Sequence, residues 1–272
     1  MLPKLGVVAG GGDLPKRLIA AGQAQGRAVF VVAIEGAADA ATVLNLPHCW
    51  ARLDAVGRIV AALRNAGVEE VVLAGRVHRP SWTAVRPDWR GLKLLAKVMR
   101  ARGQGDNSVL ALAMAELESE GFRVIGAHDL LADLIAQEGP IGRLLPDESA
   151  KRDIARGLAV ARALGQVDVG QAVVIQQGIV LGVEAAEGTD ALLERCGPLK
   201  RDGPGGVLVK RRKPGQDRRA DLPTIGPTTA VKAAQAGLRG IAVEAGGTLV
   251  LDPVAVARIA DDSGLFVIGV GT

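Results

Sequence analysis

Short apolar runs alternate with helix-spaced apolar positions through the first half of the chain. The run at residues 5–9 ends in three glycines, and the next eleven residues carry Leu14, Leu18 and Ile19 on one helical side. The pattern predicts strands at 5–9, 29–34, 71–74 and 122–125, and helices at 14–24, 56–66, 92–102, 109–120 and 128–137. This alternation predicts a parallel sheet covered by helices on both faces, as in a Rossmann-like domain.

The second half predicts another α/β lobe. Two apolar runs, at 172–175 and 179–184, flank a glycine-containing turn and indicate a hairpin. Further strands are predicted at 207–209, 241–244, 249–251 and 265–270, and helices at 147–163, 188–195, 228–236 and 253–261. The stretch GPIGRLLP favours a break between the lobes. The predicted division is a domain at 1–138, a linker at 139–146 and an α/β domain at 147–272.

Composition narrows the class of protein. The chain has 272 residues, 49% of them hydrophobic and a net charge of +4, which indicates a globular protein. Its start does not resemble a signal peptide, and its two cysteines lie far apart, so we expect a cytoplasmic protein with free thiols. With no tyrosine, three phenylalanines and three tryptophans, nucleic-acid binding is disfavoured. The composition provides both cations and apolar surface, and it therefore allows peripheral contact of the protein with an anionic membrane.

The most strongly charged segment spans residues 206–229. Six cations between Lys210 and Arg219 surround Asp217, and Asp221 follows before a stretch rich in proline and threonine. Cations and helix-start amides bind phosphate, while carboxylates hold a metal ion or orient a water. The alternative is a solvated basic loop. The candidate phosphate-binding residues here are Lys210, Lys213, Arg219, Thr224 and Thr228.

A glycine turn follows the first predicted strand. Gly11, Gly12 and Asp13 stand where a nucleotide phosphate or ribose is expected, although Pro15 replaces the last glycine of a dinucleotide fingerprint. The alternative is a tight turn whose helix is capped by Asp13. Arg76 and Arg79 follow the third strand and can reach an anion there, or they lie in a solvated loop.

Two further clusters carry polar side chains. Gln171 precedes the hairpin, and Glu187, Thr189 and Asp190 follow it at a helix start. The acids could bind Mg²⁺ or hydrogen-bond a sugar, or they could simply stabilise the first turn of the helix. Thr189, at the helix start, is placed to bind a phosphate. The second cluster, at residues 103–108, offers Asp106 as a helix cap. Motifs of P-loop, zinc-protease and serine-hydrolase sites are absent from the sequence.

Five motifs together resemble one family, the LpxI-type UDP-2,3-diacylglucosamine pyrophosphatases. They read GGGDLP, GRVHRP, DVGQAVV, VEAAEGTD and LVKRRKPGQDRRADLPTIGPTT. The resemblance implies an enzyme of lipid A synthesis, cytoplasmic and peripherally associated with the inner membrane. It implies cleavage of UDP-2,3-diacylglucosamine to UMP and 2,3-diacylglucosamine 1-phosphate with Mg²⁺, water attacking the sugar-side phosphorus. The family's essential aspartate falls on Asp221, and Asn107 replaces the second acid of a GDD motif.

These observations define one candidate site with three groups of residues. Catalysis is assigned to Asp221 and Asp217, and Mg²⁺ to Asp221, Glu187 and Asp190. The substrate-binding set comprises Gly11, Gly12, Asp13, Arg76, Arg79, Gln171, Thr189, Lys210, Lys213, Arg219, Thr224 and Thr228. A homodimer is possible. Two other functions remain open, a nicotinamide-dependent oxidoreductase built on the glycine turn and a non-catalytic sugar-nucleotide binding protein.

Overall fold

The chain divides into two compact units. A computed structural model describes residues 2–77, 87–100, 106–219 and 222–271, with backbone alone at 97–100 and 106–109. Unit 1 comprises Met1–Leu131 together with Asp217–Asp221, and unit 2 comprises Ala132–Gln216 together with Leu222–Thr272. The short segment at 217–221 therefore groups with unit 1, although the chain on both sides of it belongs to unit 2.

Unit 1 is built on a five-stranded parallel sheet. Its strands are β1 (Leu5–Ala9), β2 (Val29–Ile34), β3 (His48–Ala51), β4 (Glu70–Ala74) and β5 (Arg123–Val124). Its helices are α1 (Leu14–Ala24), α2 (Val56–Asn65), α3 (Trp89–Arg100), α4 (Asp106–Ser119) and α5 (Ala127–Leu130). The strand order β3-β2-β1-β4-β5 confirms the predicted Rossmann-like architecture. The order reverses between β1 and β4, which makes their carboxyl ends the expected ligand edge.

The apolar runs of unit 1 become central strands because helices cover both faces of the sheet. Leu63, Val71 and Met114 lie in one core cluster, each at most 2% exposed. Glu70 is an exception, a charged residue buried at the start of β4. Its carboxylate receives Arg27 at 2.5 Å and Arg123 at 2.8 Å, and these partners offset the cost of burying the charge.

Two elements of unit 1 differ from the sequence prediction. The edge strand β3, at His48–Ala51, is not predicted, because its first three residues stay partly or fully exposed and give no apolar run. The helix predicted at 128–137 is instead the four-residue α5 followed by a 3-10 turn at Ala132–Leu134. Ile135 then forms an isolated antiparallel bridge with Leu249, and the Ala136 N–H donates to the Thr248 carbonyl oxygen at 2.9 Å. These contacts hold the backbone in an extended path instead of a helix.

Unit 2 contains a six-stranded mixed sheet in the order β6-β13-β11-β9-β7-β8. These strands are β6 (Gly139–Pro140), β7 (Ala172–Gln176), β8 (Ile179–Val183), β9 (Val207–Lys210), β11 (Gly240–Glu244) and β13 (Phe266–Val270). A parallel pair is formed by β10 (Thr224–Ile225) and β12 (Leu249–Val250). The helices are α6 (Glu148–Gln166), α7 (Gly188–Cys196), α8 (Pro227–Gln235) and α9 (Pro253–Asp262), with a 3-10 turn at Gly197–Leu199.

Helices cover both faces of the central strands of the second sheet. Leu208 and Val243 belong to a core cluster shared with α7, α8 and α9, whereas Val209 and Ala242 belong to a cluster shared with α6. Strands β9, β11 and β13 run parallel, so their carboxyl ends share one edge of the sheet. Strand β7 is antiparallel to β9, and therefore its first residue lies at that same edge.

The stretch predicted as a linker, at 139–146, is integrated into unit 2. It begins with β6, which pairs with β13. Arg143 then donates its backbone N–H and its Nε to Asp261, at 2.7 and 3.0 Å. The division between the two units falls earlier in the chain, after Leu131.

The predicted hairpin is a tight one. Gln177 and Gly178, with φ of 52° and 76°, form the two-residue turn between β7 and β8, as a type I′ turn requires. The buried Asp153 of α6 accepts both backbone N–H groups of this turn, at 2.9 and 2.6 Å. One carboxylate therefore joins the longest helix of unit 2 to its outermost hairpin.

Candidate active site

At the ligand edge of unit 1, the loops after β1 and β4 are joined backbone to backbone. Gly11 and Arg76 exchange two hydrogen bonds of 2.9 Å, and Gly10 donates to Ala74 at 2.7 Å. This pairing brings the predicted glycine turn next to the predicted arginine loop. The Arg76 side chain is exposed there, whereas Arg79 lies outside the described residues.

The glycines of this edge have two different causes. A Cβ on Gly11 would lie 2.8 Å from the Ala37 carbonyl oxygen, and one on Gly75 would lie 2.7 Å from that of Gly11. These two positions are therefore explained by backbone packing. Gly12 has a φ of +91°, which favours glycine. A Cβ there would meet no atom within 4 Å, so the backbone beside the turn is open to solvent. The Asp13 side chain makes no capping hydrogen bond to α1, contrary to the capping alternative, although it lies 3.9 Å from the Lys16 ammonium and is 73% exposed.

The 217–221 segment contains an ion pair between two of its own residues, Asp217 and Arg219. Arg219 donates from Nε and Nη2 to the Asp217 carboxylate, at 3.1 and 2.8 Å, and its backbone N–H bonds the same carboxylate at 2.9 Å. The hydrogen bond from Arg219 lowers the pKa of Asp217. Arg219 also donates from Nη1 to Glu118 at 2.6 Å, and these partners raise its pKa. Arg219, predicted to neutralise phosphate, is therefore already paired with two carboxylates. Asp221 lies outside the described residues.

A buried polar network lies at the carboxyl edge of the second sheet. The Lys210 ammonium donates to the Thr189 hydroxyl at 2.9 Å and to the Thr224 carbonyl oxygen at 3.1 Å. Thr189 donates onward to Glu184 at 2.5 Å, and Lys210, Thr189 and Glu184 are each less than 9% exposed. Lys210 is predicted to bind phosphate, and in the structure it is buried, with polar partners for its charge within the unit.

One side chain beside this network has an unused acceptor. The backbone N–H of Gln171 donates to Glu184 at 3.2 Å, while its side-chain Oε1 atom is buried and has no hydrogen-bond partner among the described residues. A buried acceptor without a donor costs free energy, so such an atom is a position where a water or a ligand hydroxyl would bind. The structure thus brings Gln171, Thr189, Lys210 and the Thr224 carbonyl to one edge of unit 2.

Two family models divide the chain between them. The LpxI N-terminal domain matches residues 4–134, and the LpxI C-terminal domain matches residues 137–268. The chain belongs to the LpxI family. It is 43% identical to the UDP-2,3-diacylglucosamine pyrophosphatase LpxI of Caulobacter vibrioides over 273 residues, which cover 98% of this chain and 97% of that protein. The LpxI N-terminal match contains the glycine turn, and the C-terminal match contains the buried network and the 217–221 segment.

Two of the acids predicted as metal ligands in this LpxI chain, Glu187 and Asp190, form ion pairs within unit 2, and the third, Asp221, lies outside the described residues. Glu187 receives Arg195 at 2.8 Å, and hydrogen bonding from that guanidinium lowers the pKa of Glu187. Asp190 lies 3.9 Å from the Lys232 ammonium. Within the described ranges, no three histidine, cysteine or acidic side chains gather closely enough to hold a metal ion. The described donors therefore do not fit Mg²⁺, and the Mg²⁺ requirement remains a prediction.

The remaining predicted residues occupy varied settings. Lys213 forms an ion pair of 2.5 Å with Asp168, so its charge is neutralised within unit 2. The Thr224 hydroxyl donates to the Leu222 carbonyl, and Thr228 is exposed in the first turn of α8. Among the described residues, three acids that contact predicted site residues lie outside the candidate set. Asp168 and Glu184 belong to motifs that the sequence does single out, whereas Glu118 has no local signal because its partner is 101 residues away.

Proposed function

We propose that this LpxI protein hydrolyses the pyrophosphate bond of UDP-2,3-diacylglucosamine. The observation that carries the proposal is the near full-length match to a relative named for that activity, at 43% identity. Both LpxI domain models are matched in chain order as well, so both parts of the family's architecture are represented here. The products would be UMP and 2,3-diacylglucosamine 1-phosphate.

Water attacks the sugar-side phosphorus in this proposal. A new bond forms between the water oxygen and that phosphorus, and the bond from the same phosphorus to the bridging oxygen breaks. The bridging oxygen leaves with UMP, and the protons of water pass to solvent through a nearby base. Phosphoryl transfer depends mainly on positioning and on stabilising charge, which suits a site of cations, amides and few acids.

The residues of this chain offer groups of that kind in each unit. In unit 1, Gly12 leaves its backbone accessible beside the exposed Arg76, which suits a nucleotide phosphate. In unit 2, Lys210 is a buried cation held by neutral oxygens, and Gln171 offers a vacant acceptor for a hydroxyl. We assign Asp221 to orienting the attacking water, on the resemblance of its motif to that of the family.

Association with a membrane surface is supported by α3. Trp89 and Leu92 are 71% and 49% exposed, and the Lys93 ammonium lies 5.3 Å from the centre of the Trp89 ring. These residues and the exposed Ala96 are spaced as neighbours on one helical face. The helix contains four basic residues and no acid, as is typical of helices that lie on anionic lipid. No helix within the described residues has the length and apolarity to cross a bilayer.

The decisive experiment is hydrolysis of UDP-2,3-diacylglucosamine in water enriched in heavy oxygen. We expect UMP release, with the heavy oxygen in the lipid phosphate and not in UMP. Asp221→Asn should reduce turnover by several orders of magnitude while retaining substrate binding, whereas Glu148→Gln, an exposed surface change in α6, should match the wild type. Heavy oxygen in UMP would show that water attacks the uridine-side phosphorus instead.

Separate measurements test the remaining parts of the proposal. Addition of EDTA tests the expected requirement for Mg²⁺, and restoration by Mg²⁺ alone would support it. Tight substrate binding without product would instead favour a sugar-nucleotide binding protein. A change in NAD(P)H fluorescence on mixing would favour an oxidoreductase. Sedimentation equilibrium tests the expected homodimer.

A further inference from the structure

Within the 217–221 segment, the described residues 217–219 contact other parts of unit 1. The chain enters the segment from Gln216 and leaves it at Leu222, both of which belong to unit 2. The grouping with unit 1 therefore reflects contacts that the segment makes there. The described residues of the segment, Asp217 to Arg219, identify the contacts responsible.

The first contact is an ion pair with α4. Arg219 donates from Nη1 to the Glu118 carboxylate at 2.6 Å, across 101 residues of sequence. The rest of the guanidinium is occupied by Asp217, which lies in the segment itself. Asp217 therefore shapes the segment internally, whereas Glu118 is the carboxylate that ties it to the body of unit 1.

The second contact is a close approach of two backbones. A Cβ on Gly126 would lie 2.3 Å from the His128 ring and 3.1 Å from the Arg219 Cα atom, so the missing side chain leaves room for both at the start of α5. Gly126 follows β5 in the parallel sheet and is the N-cap of α5. The segment thus contacts both a helix and the loop that follows a strand end.

We propose that Glu118 is a positioning residue for hydrolysis. It holds Arg219, which precedes Asp221 by two residues in the sequence. This inference rests on the proposed function and adds to it a residue on α4 that touches neither substrate nor reacting atoms. It also gives Arg219 an anchoring role in place of the predicted phosphate contact.

The first test is kinetic. Glu118→Ala should lower kcat by about tenfold to a hundredfold, since a misplacement of about 1 Å costs roughly that much in a positioned site. KM should change little, and Glu118→Asp, which keeps the charge, should recover part of the loss. Glu148→Ala removes a surface carboxylate from the exposed ion pair with Lys151 and should leave kcat unchanged.

The second test needs no activity. Trypsin should cut after Arg218 and Arg219 several times faster in Glu118→Ala than in the wild type or Glu148→Ala, with cut sites read by mass spectrometry and the same melting temperature. Faster cutting with unchanged kcat would overturn the positioning role, and unchanged cutting would overturn the anchor. If the wild type cuts slowly and the variant fast, but neither turns over substrate, the anchor stands and the proposed function fails.

Discussion

The Lys210 ammonium lies 2.9 Å from the Thr189 hydroxyl, and that hydroxyl donates to a Glu184 carboxylate oxygen 2.5 Å away. A single threonine oxygen thus accepts from a buried cation and donates to a buried anion. In a low-dielectric setting, such a chain is stable only while every member keeps its partner. The arrangement joins the end of β9, the start of α7 and the residue after β8.

Replacing Lys210 by methionine should destabilise the protein by about 3 kcal/mol, because it removes the cation connected to a buried carboxylate. Urea denaturation measures the change. The double variant Lys210→Met/Glu184→Gln should recover most of the loss, since neither charge then remains. A single variant as stable as the wild type would show that the network contributes nothing to folding.

Asp153→Ala should lower the free energy of unfolding by about 3 kcal/mol. The change removes two hydrogen bonds that the turn N–H groups of Gln177 and Gly178 donate to a carboxylate, and a hydrogen bond to a charged group contributes about 1.5–3 kcal/mol. Thermal and urea unfolding both report it. The control Asp262→Ala alters an exposed aspartate at the end of α9 and should stay within about 0.5 kcal/mol of the wild type. Equal stability of the two variants would contradict the role given to Asp153.

The exposed face of α3 should bind vesicles that contain an anionic phospholipid. Trp89→Ala/Leu92→Ser should weaken co-sedimentation with such vesicles by about tenfold or more, because about 1.5–3 kcal/mol is lost for each large apolar side chain no longer buried in lipid. Binding should also fall with added salt. Val254→Ser removes an apolar residue of α9 that is 80% exposed and serves as the control. Binding that tolerates the double change would exclude α3 as the contact surface.

Both cysteines should resist thiol reagents in the folded protein. Burial raises the pKa of Cys196 and of Cys49, so at pH 8 the reactive thiolate is scarcer than in a free cysteine. Cys196 is fully buried and should react more slowly than the partly buried Cys49. Dithionitrobenzoate should modify both within seconds in guanidinium chloride. Rapid modification of native Cys49→Ser protein would contradict the burial of Cys196.

Most of the fold follows from local pattern. Strands such as β1 and β2 are short apolar runs buried on both faces, and their bounds match the predicted ones. The hairpin turn at Gln177 and Gly178 was also recognisable, because a glycine between two apolar runs supplies the positive φ that the turn needs. Strand β3 was not recognisable, because an edge strand with exposed residues carries little hydrophobic signal.

The candidate site was less predictable, because the sequence shows where the charged residues are but not which residues pair with them. Lys210, Lys213 and Arg219 look alike as members of a basic run. In the structure, the first is buried on neutral oxygens, the second pairs with Asp168 and the third with Asp217 and Glu118. Long-range partners decide each case, and they become visible only after the sheets and helices have assembled.

The grouping of residues 217–221 with unit 1 has a consequence for protein engineering. No single cut of the chain yields two fragments that each hold one whole unit. A fragment ending at residue 131 would keep Glu118 and Gly126 but lose Arg219. Chimeras between LpxI relatives that exchange only their N-terminal halves would likewise pair an α4 from one parent with an arginine from the other. Such chimeras should exchange position 118 together with the distant loop that it holds.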